Sequence, residues 1–292
     1  MVSFSIIGPG RVGSSLASAL INRRWVCKDI VYDERALRMK AQVVRSLPGA
    51  KLVKSTGLLR DNFEILFVTV NDDAIAGVAA QLMRNSSVNW RGKTVFHMSG
   101  IVGVNVLEPL AKRGAAVGAL HPLAAFPRPL HPEGAMNIRF DFLGSRKALT
   151  GARKVSTVLN SKLIVLKSEF EKVNLHLASV IATNFVTIAA QAAAGLANSS
   201  IGKRETKLII DGLLASAVSN ISSLDGLSAL SGPLIRGDVE VISKHLSALK
   251  DSETLLAFYK AASRLGVESL LREKKLKTLA PKYRRIRDIL SK

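Results

Sequence analysis

Cysteine is almost absent: Cys27 stands alone among 292 residues. That excludes an intramolecular disulfide and leaves no Cys/His cluster with metal-ligand spacing, so no metal site and a reducing, cytoplasmic setting are expected. Aromatic residues make up only 5%, too few for a base-stacking platform, and no recognised nucleic-acid motif accompanies them. Acidic residues are scarce too, 22 against 42 Lys and Arg, for a net charge of +20. Such a surplus suits phosphorylated ligands, an anionic surface or nucleic acid. It is spread along the chain, with a denser run over 272–292, and is read as a solvated basic surface without a specific nucleic-acid partner. Long uninterrupted apolar runs are lacking as well. The most apolar stretch, 178–197, is broken by Thr183, Asn184, Thr187 and Gln191, so it is expected to be a buried, alanine-rich helix and not a membrane span. No basic segment precedes the first apolar stretch, and glycines at 8, 10 and 13 interrupt it, so a signal peptide is not expected.

What is present divides near residue 168. Before it, apolar strand candidates at 3–7, 29–32, 65–70, 94–98, 115–120, 137–143 and 163–166 are mostly separated by helical patterns. Such alternation implies a mainly parallel sheet covered by helices on both faces, the doubly wound α/β class. Beyond it, 169–197, 203–223, 237–249 and 251–265 have helical spacing, with Gly226, Gly232, Pro233 and Gly266 as breaks. The expectation is a Rossmann-like dinucleotide-binding domain over 1–167 and an all-helical substrate and dimerisation domain over 168–292. The small-residue stretch 189–197 suits helix packing within or between subunits, and a homodimer is expected.

The segment SIIGPGRVGSSLASAL, 5–20, places G-x-G-x-x-G between an apolar strand and a helix. Gly8 permits the tight turn, Gly10 lets the backbone approach a pyrophosphate, and Gly13 lets the helix pack on the sheet. The helix N-terminus at Arg11, Val12 and Gly13 favours phosphate, and Arg11 adds charge. Asp33 lies 20 residues beyond Gly13, where a carboxylate can bond an adenosine ribose, which favours NAD. Arg35, Arg38 and Lys40 follow at once and could hold the extra phosphate of NADP. Asp33 can also be read as a solvated turn residue, and the coenzyme stays open between NADP and NAD.

Six segments together resemble a known family: the fingerprint, VTVNDDAIAGVAAQL at 68–82, VFHMSGIVGVNVLEPL at 95–110, GALHPLAAFP at 118–127, VNLHLASVIATNF at 173–185 and LSGPLIRGDVEVISKHLSAL at 230–249. The chain is similar to Rossmann-like oxidoreductases that carry a C-terminal domain of unknown function and are related to deazaflavin-dependent NADP oxidoreductases. More distantly it resembles dehydrogenases with a helical second domain, such as 6-phosphogluconate dehydrogenase, pyrroline-carboxylate reductase and ketopantoate reductase. Some members of the family look like an alternative ketopantoate reductase. The resemblance implies an NAD(P)H-dependent reductase of a small oxo acid, 2-dehydropantoate (ketopantoate) being the specific expectation. Asn71 stands where relatives usually have proline, Ala124-Ala125 replaces a commonly polar pair, and Asp33 stands where a small polar residue is usual.

Hydride chemistry belongs to the coenzyme, so the chain need supply orientation, a proton donor and groups that hold substrate. His121 follows a strand and is placed to face the sheet's carboxyl edge, or else stiffens its own turn. His176 and Asn184 lie eight residues apart on one helix, near one face. There Asn184 could hold a carbonyl or carboxylate while His176 donates the proton; a surface histidine with a core-satisfied asparagine is the alternative. The related ketopantoate reductases use a lysine in this general region. Val70, Asn71 and Ser99 are coenzyme candidates. Arg236 could bind a substrate carboxylate, with Asp238 capping the next helix, or the two could simply pair. His245 and His131 are read as structural or solvated. A non-catalytic coenzyme-binding regulator or scaffold is the competing reading.

Overall fold

The computed structural model describes residues 1–32, 47, 49–128 and 132–292. Asp33, Arg35, Arg38, Lys40 and His131 lie outside the described residues.

The strands are β1 Ser3–Ile7, β2 Val26–Val31, β3 Lys51–Val53, β4 Ile65–Val68, β5 Thr94–His97, β6 Ala116–Pro122, β7 Arg139–Gly144 and β8 Lys162–Val165. Among the described residues they form one sheet in the order β3-β2-β1-β4-β5-β6-β7-β8. Neighbours are parallel except β6 and β7, which run antiparallel with His121 opposite Asp141. The order reverses between β1 and β4, which makes the crevice at their carboxyl ends the switch point where such sheets bind ligands. All four residues of β4 are buried, because side chains alternate between two covered faces. Phe67 joins Phe4, Phe96 and Phe142 on one face. Leu66 and Val68 join Val95, Val117 and Trp90 on the other. β3 is too short to carry a period, and pattern reading misses it.

Helices α1 Arg11–Asn22, α2 Asp72–Arg84, α3 Glu108–Lys112 and α4 Arg146–Val158 connect the strands. Helix α5, Glu169–Val180, starts at Ser168, whose hydroxyl accepts from Glu171 N (3.2 Å), while Glu171 Oε2 accepts from Lys167 N (2.8 Å). This near-reciprocal cap fixes where the helix begins.

The chain divides into two compact units, Met1–Asn184 and Phe185–Lys292. Composition changes ahead of Glu169, but α5 belongs with the sheet. A π-helical turn, Ile181–Phe185, joins α5 to α6, Val186–Ile201. The run Glu169–Asn198 is long and apolar enough to cross a membrane by length and composition alone.

The second unit contains, besides α6, helices α7 Lys203–Ser223, α8 Pro233–Arg236, α9 Val239–Ala248, α10 Glu253–Arg272 and α11 Ala280–Leu290. Its core gathers Ile242, Val267, Leu270, Tyr283, Ile286 and Leu290, and Tyr283 donates its hydroxyl proton to Ile235 O (2.6 Å). The basic run near the C-terminus is therefore more than a solvated surface. Tyr283, Ile286 and Leu290 recur at helical spacing and turn one face of α11 inward, which leaves Lys282, Arg284, Arg285 and Arg287 outside. The alanine-rich stretch also departs from its expected burial. α6 packs along α7, yet neither contributes to a core cluster, and Ile188, Leu196, Leu208, Leu213 and Ile221 remain exposed.

Candidate active site

At the end of β1, Gly8 turns the chain at φ +91°, where a side chain is strained. Its N–H donates to Val31 O (2.9 Å). A Cβ at Gly8 would lie 2.7 Å from Val70 Cγ1, and one at Gly13 would overlap Thr69 Oγ1 and Gly8 O. Gly10 differs, since a Cβ there would meet nothing within 4 Å. Gly8 and Gly13 are thus required by packing inside the protein, whereas Gly10 leaves its open side to a ligand. Gly10 is also the N-cap of α1 and offers no side-chain cap, and the first turn holds no acid. The leading amides of Arg11, Val12 and Gly13 therefore present uncompensated positive dipole, which fits a pyrophosphate. Thr69, which sequence reading passes over, fastens the loop by donating its hydroxyl proton toward Ile7 O (3.1 Å) and Gly8 O (2.5 Å).

The ends of β5 and β6 carry a second cluster. His97 closes β5, fully buried, and among the described residues neither ring nitrogen has a hydrogen bond of ordinary geometry. Burial, aided by the Lys172 charge, pushes its pKa down to about 4. Beyond it, Ser99 Oγ accepts from Ile101 N (3.2 Å) and Val102 N (3.0 Å), so the hydroxyl shapes the turn. Lys172 on α5 is 0% exposed and donates from Nζ to Ser99 O (2.6 Å). Burial lowers its pKa against the opposing fields of Asp141, Glu169 and Asp72. Glu169 Oε1 accepts from Val104 N (3.1 Å), which ties the same helix to the loop a second time.

His121 and Asp141 face each other across the antiparallel pair, and His121 Nδ1 lies 2.8 Å from Asp141 Oδ2. Asp141 is 1% exposed, and its Oδ1 has no hydrogen-bond partner among the described residues. His176, one helical turn beyond Lys172, meets His121 edge to face with ring centroids 5.5 Å apart. Its Nδ1 is buried without a partner among the described residues, and burial, with the charges of His121 and Lys172, lowers its pKa. Gly100 sits against both rings: a Cβ there would be 2.9 Å from His121 Nε2 and would overlap His176 Nδ1. The missing side chain at Gly100 is what lets two imidazoles converge on one turn.

Of the residues singled out in the sequence, His121, His176 and Ser99 come together. Val70 packs against Gly8. Asn71 is the N-cap of α2 without a side-chain cap bond. Asn184 shares the His176 face, because the wider i→i+5 turn makes eight residues span about two turns, but at roughly 12 Å along the axis it does not reach the histidine cluster. It is exposed, and its Oδ1 accepts from Thr183 Oγ1 (3.3 Å). Arg236 Nε donates to Asp238 Oδ2 (2.8 Å). The two therefore pair, and Asp238 makes no side-chain cap on α9 because its carboxylate is already engaged. His245 Nδ1 bonds Tyr259 Oη (2.8 Å). Sequence reading missed Lys172 and Asp141. Lys172 lies four residues before His176, a same-face signal. Asp141 stands in RFDFL, where the alternation points it away from the flanking phenylalanines.

Two family models match the chain. A Rossmann-like domain matches residues 1–122, and a domain of unknown function, DUF2520, matches residues 138–265. The chain is similar to each family over that family's own segment. Its Rossmann-like match ends just after His121, and its DUF2520 match begins just before Asp141, so the histidine–carboxylate pair draws one residue from each. No curated protein matches the chain. Among solved structures it is similar to protein BF3122 from Bacteroides fragilis, at 22% identity and TM-score 0.72 over 90% of this chain and 96% of that one. An imine reductase from Streptomyces aurantiacus is 17% identical with TM-score 0.61, covering 93% and 100%. Plasmodium falciparum pyrroline carboxylate reductase, solved with NADP bound, is 13% identical with TM-score 0.61, covering 99% and 98%. At these identities the likeness is one of fold.

Proposed function

We propose that the chain is an NAD(P)-dependent oxidoreductase that reduces a small oxo acid, with 2-dehydropantoate as the first candidate and NADP or NAD as coenzyme. One observation carries this reading: the glycine cradle at the end of β1 and the His121–His176 pair beside β5 and β6 open on the same carboxyl edge of one sheet. Gly8, Gly10 and Gly13 with the α1 amides hold the pyrophosphate, and exposed Arg11 adds charge. Val70, Asn71 and Ser99, at the ends of β4 and β5, border the place of the nicotinamide. When bound, the coenzyme supplies the hydride. Lys172 holds the Ser99–Gly100 turn, and the imidazoles beside that turn provide the proton for the developing alkoxide. Asn184, farther along the same helix face, meets the remote end of an extended substrate. The reductases among the similar folds, one of them solved with NADP, favour the same chemistry.

The exposed apolar residues of α6 and α7 favour a homodimer in which a second copy covers them. The buried Cys27 thiol, pushed up to about 12, stays protonated and inert, in keeping with a cytoplasmic setting. The test is a panel of oxo acids and cyclic imines with NADPH and NADH. Coenzyme oxidation that depends on ketopantoate or a related oxo acid is expected. Coenzyme binding without turnover of any member overturns the reductase reading in favour of a non-catalytic coenzyme-binding protein.

A further inference from the structure

We propose that Asp141 is the positioning residue for His121, and that this pair, not His176, passes the proton to the reduced product; the inference rests on the reductase reading above. The geometry is specific. The antiparallel register of β6 and β7 sets the two residues opposite each other, and Asp141, buried on every side, offers Oδ2 to His121 Nδ1 at 2.8 Å. A carboxylate so placed holds the proton on Nδ1 and fixes the ring, which leaves Nε2 directed at the Gly100 turn. Among the described residues His176 has no such anchor: its Nδ1 is buried without a partner. Burial lowers its pKa and so disfavours the imidazolium there. Buried Asp141 is otherwise a costly choice on a strand whose neighbours on either side are phenylalanines, and among the described residues no arginine or lysine bridges it.

Hydride from the reduced nicotinamide dinucleotide forms a C–H bond at the carbonyl carbon while the C=O π bond breaks. The proton on His121 Nε2 goes to the oxygen. The products are the alcohol, the oxidised coenzyme and neutral His121 with its remaining proton on Nδ1, the tautomer that Asp141 stabilises. Solvent then restores the Nε2 proton.

The first measurement needs no substrate: imidazole ¹⁵N NMR on the full chain at about pH 8, above the ordinary histidine range. His121 is expected as the Nδ1–H tautomer in the wild type, with loss of that single tautomer in Asp141→Asn. A wild-type His121 found as Nε2–H overturns the proposal, as does an Asp141→Asn variant with an unchanged tautomer. The wild-type spectrum decides the matter even where the variant fails to fold. With a turned-over substrate, Asp141→Asn is expected to lower kcat about 10–100-fold with the coenzyme KM unchanged, and Asp141→Glu to recover part of it. His121→Gln is expected to cost about 10²–10⁴-fold and His176→Gln at least about tenfold less. Equal losses at the two histidines overturn the assignment of the donor. Should no substrate be turned over, the reductase reading fails on its own, while the tautomer result still tells whether Asp141 positions His121.

Discussion

In the unit Met1–Asn184, Asp29, Asp141, Lys172 and His97 are out of reach of solvent, while in Phe185–Lys292 the side chains of Ile188, Leu208, Leu213 and Ile221 are more than half exposed. Both placements run against ordinary partitioning. Asp29 is the exception that is satisfied internally: Arg60 grips it through its guanidinium and backbone N–H, with Arg60 Nε 2.9 Å from Oδ1. Lys172 uses one carbonyl, and among the described residues Asp141 keeps one oxygen without a hydrogen bond and the His97 ring nitrogens lack one of ordinary geometry. The contrast teaches that each unit is incomplete in its own way. The first holds polar groups that a ligand can use, and the second holds hydrocarbon that another protein surface can cover.

The sharpest way to break the contrast is to compare truncations. Phe96, packed between Phe67 and Phe142 with centroids 5.9 and 6.3 Å away, should cost about 3–5 kcal/mol on Phe96→Ala by urea unfolding. Leu213→Ala, at protein concentrations where the chain is monomeric, should cost less than about 0.5 kcal/mol. Similar costs at the two positions would mean that α7 has a core of its own.

Next in size is a pH effect. The folded His97 pKa of about 4 lies below the ordinary 6.5, so between those values the unfolded chain binds the extra proton and stability falls as pH falls. From about pH 7 to pH 4.5 the loss from this group is about 2–3 kcal/mol. His97→Leu should remove that part of the acid limb, and urea titrations at the two pH values would show an unchanged slope if the inference is wrong. The smallest effect concerns the exposed face. In the proposed homodimer, Leu213→Glu should raise the dissociation constant at least about tenfold, or about 1.4 kcal/mol, by sedimentation. A dimer indifferent to that change would place its contact elsewhere.

The glycine loop and most strands were legible because their signals are local. Ser3–Ile7 and Lys203–Ser223 fall where period and breaks put them. Lys172 was not legible, because a lysine among glutamates at the start of a helix has the pattern of a solvated face, and only its distance to Ser99 O shows otherwise. Asp141 was hidden for a different reason. Its meaning depends on strand register, a long-range property, and on β7 running against β6. The exposure of α6 was misread because composition reports that a helix wants burial and not where the covering surface comes from. Asp33 and the arginines after it lie outside the described residues, and the choice between NADP and NAD stays with the coenzyme panel.

The antiparallel join of β6 to β7 also bears on how such a protein can be inherited. The two family segments meet between residues 122 and 138, yet the sheet continues across that gap. A recombination event that exchanged everything after residue 138 would therefore bring in the last two strands of the sheet and one half of the His121–Asp141 pair. The segments can be shuffled as genes only where both halves have already been fitted to each other.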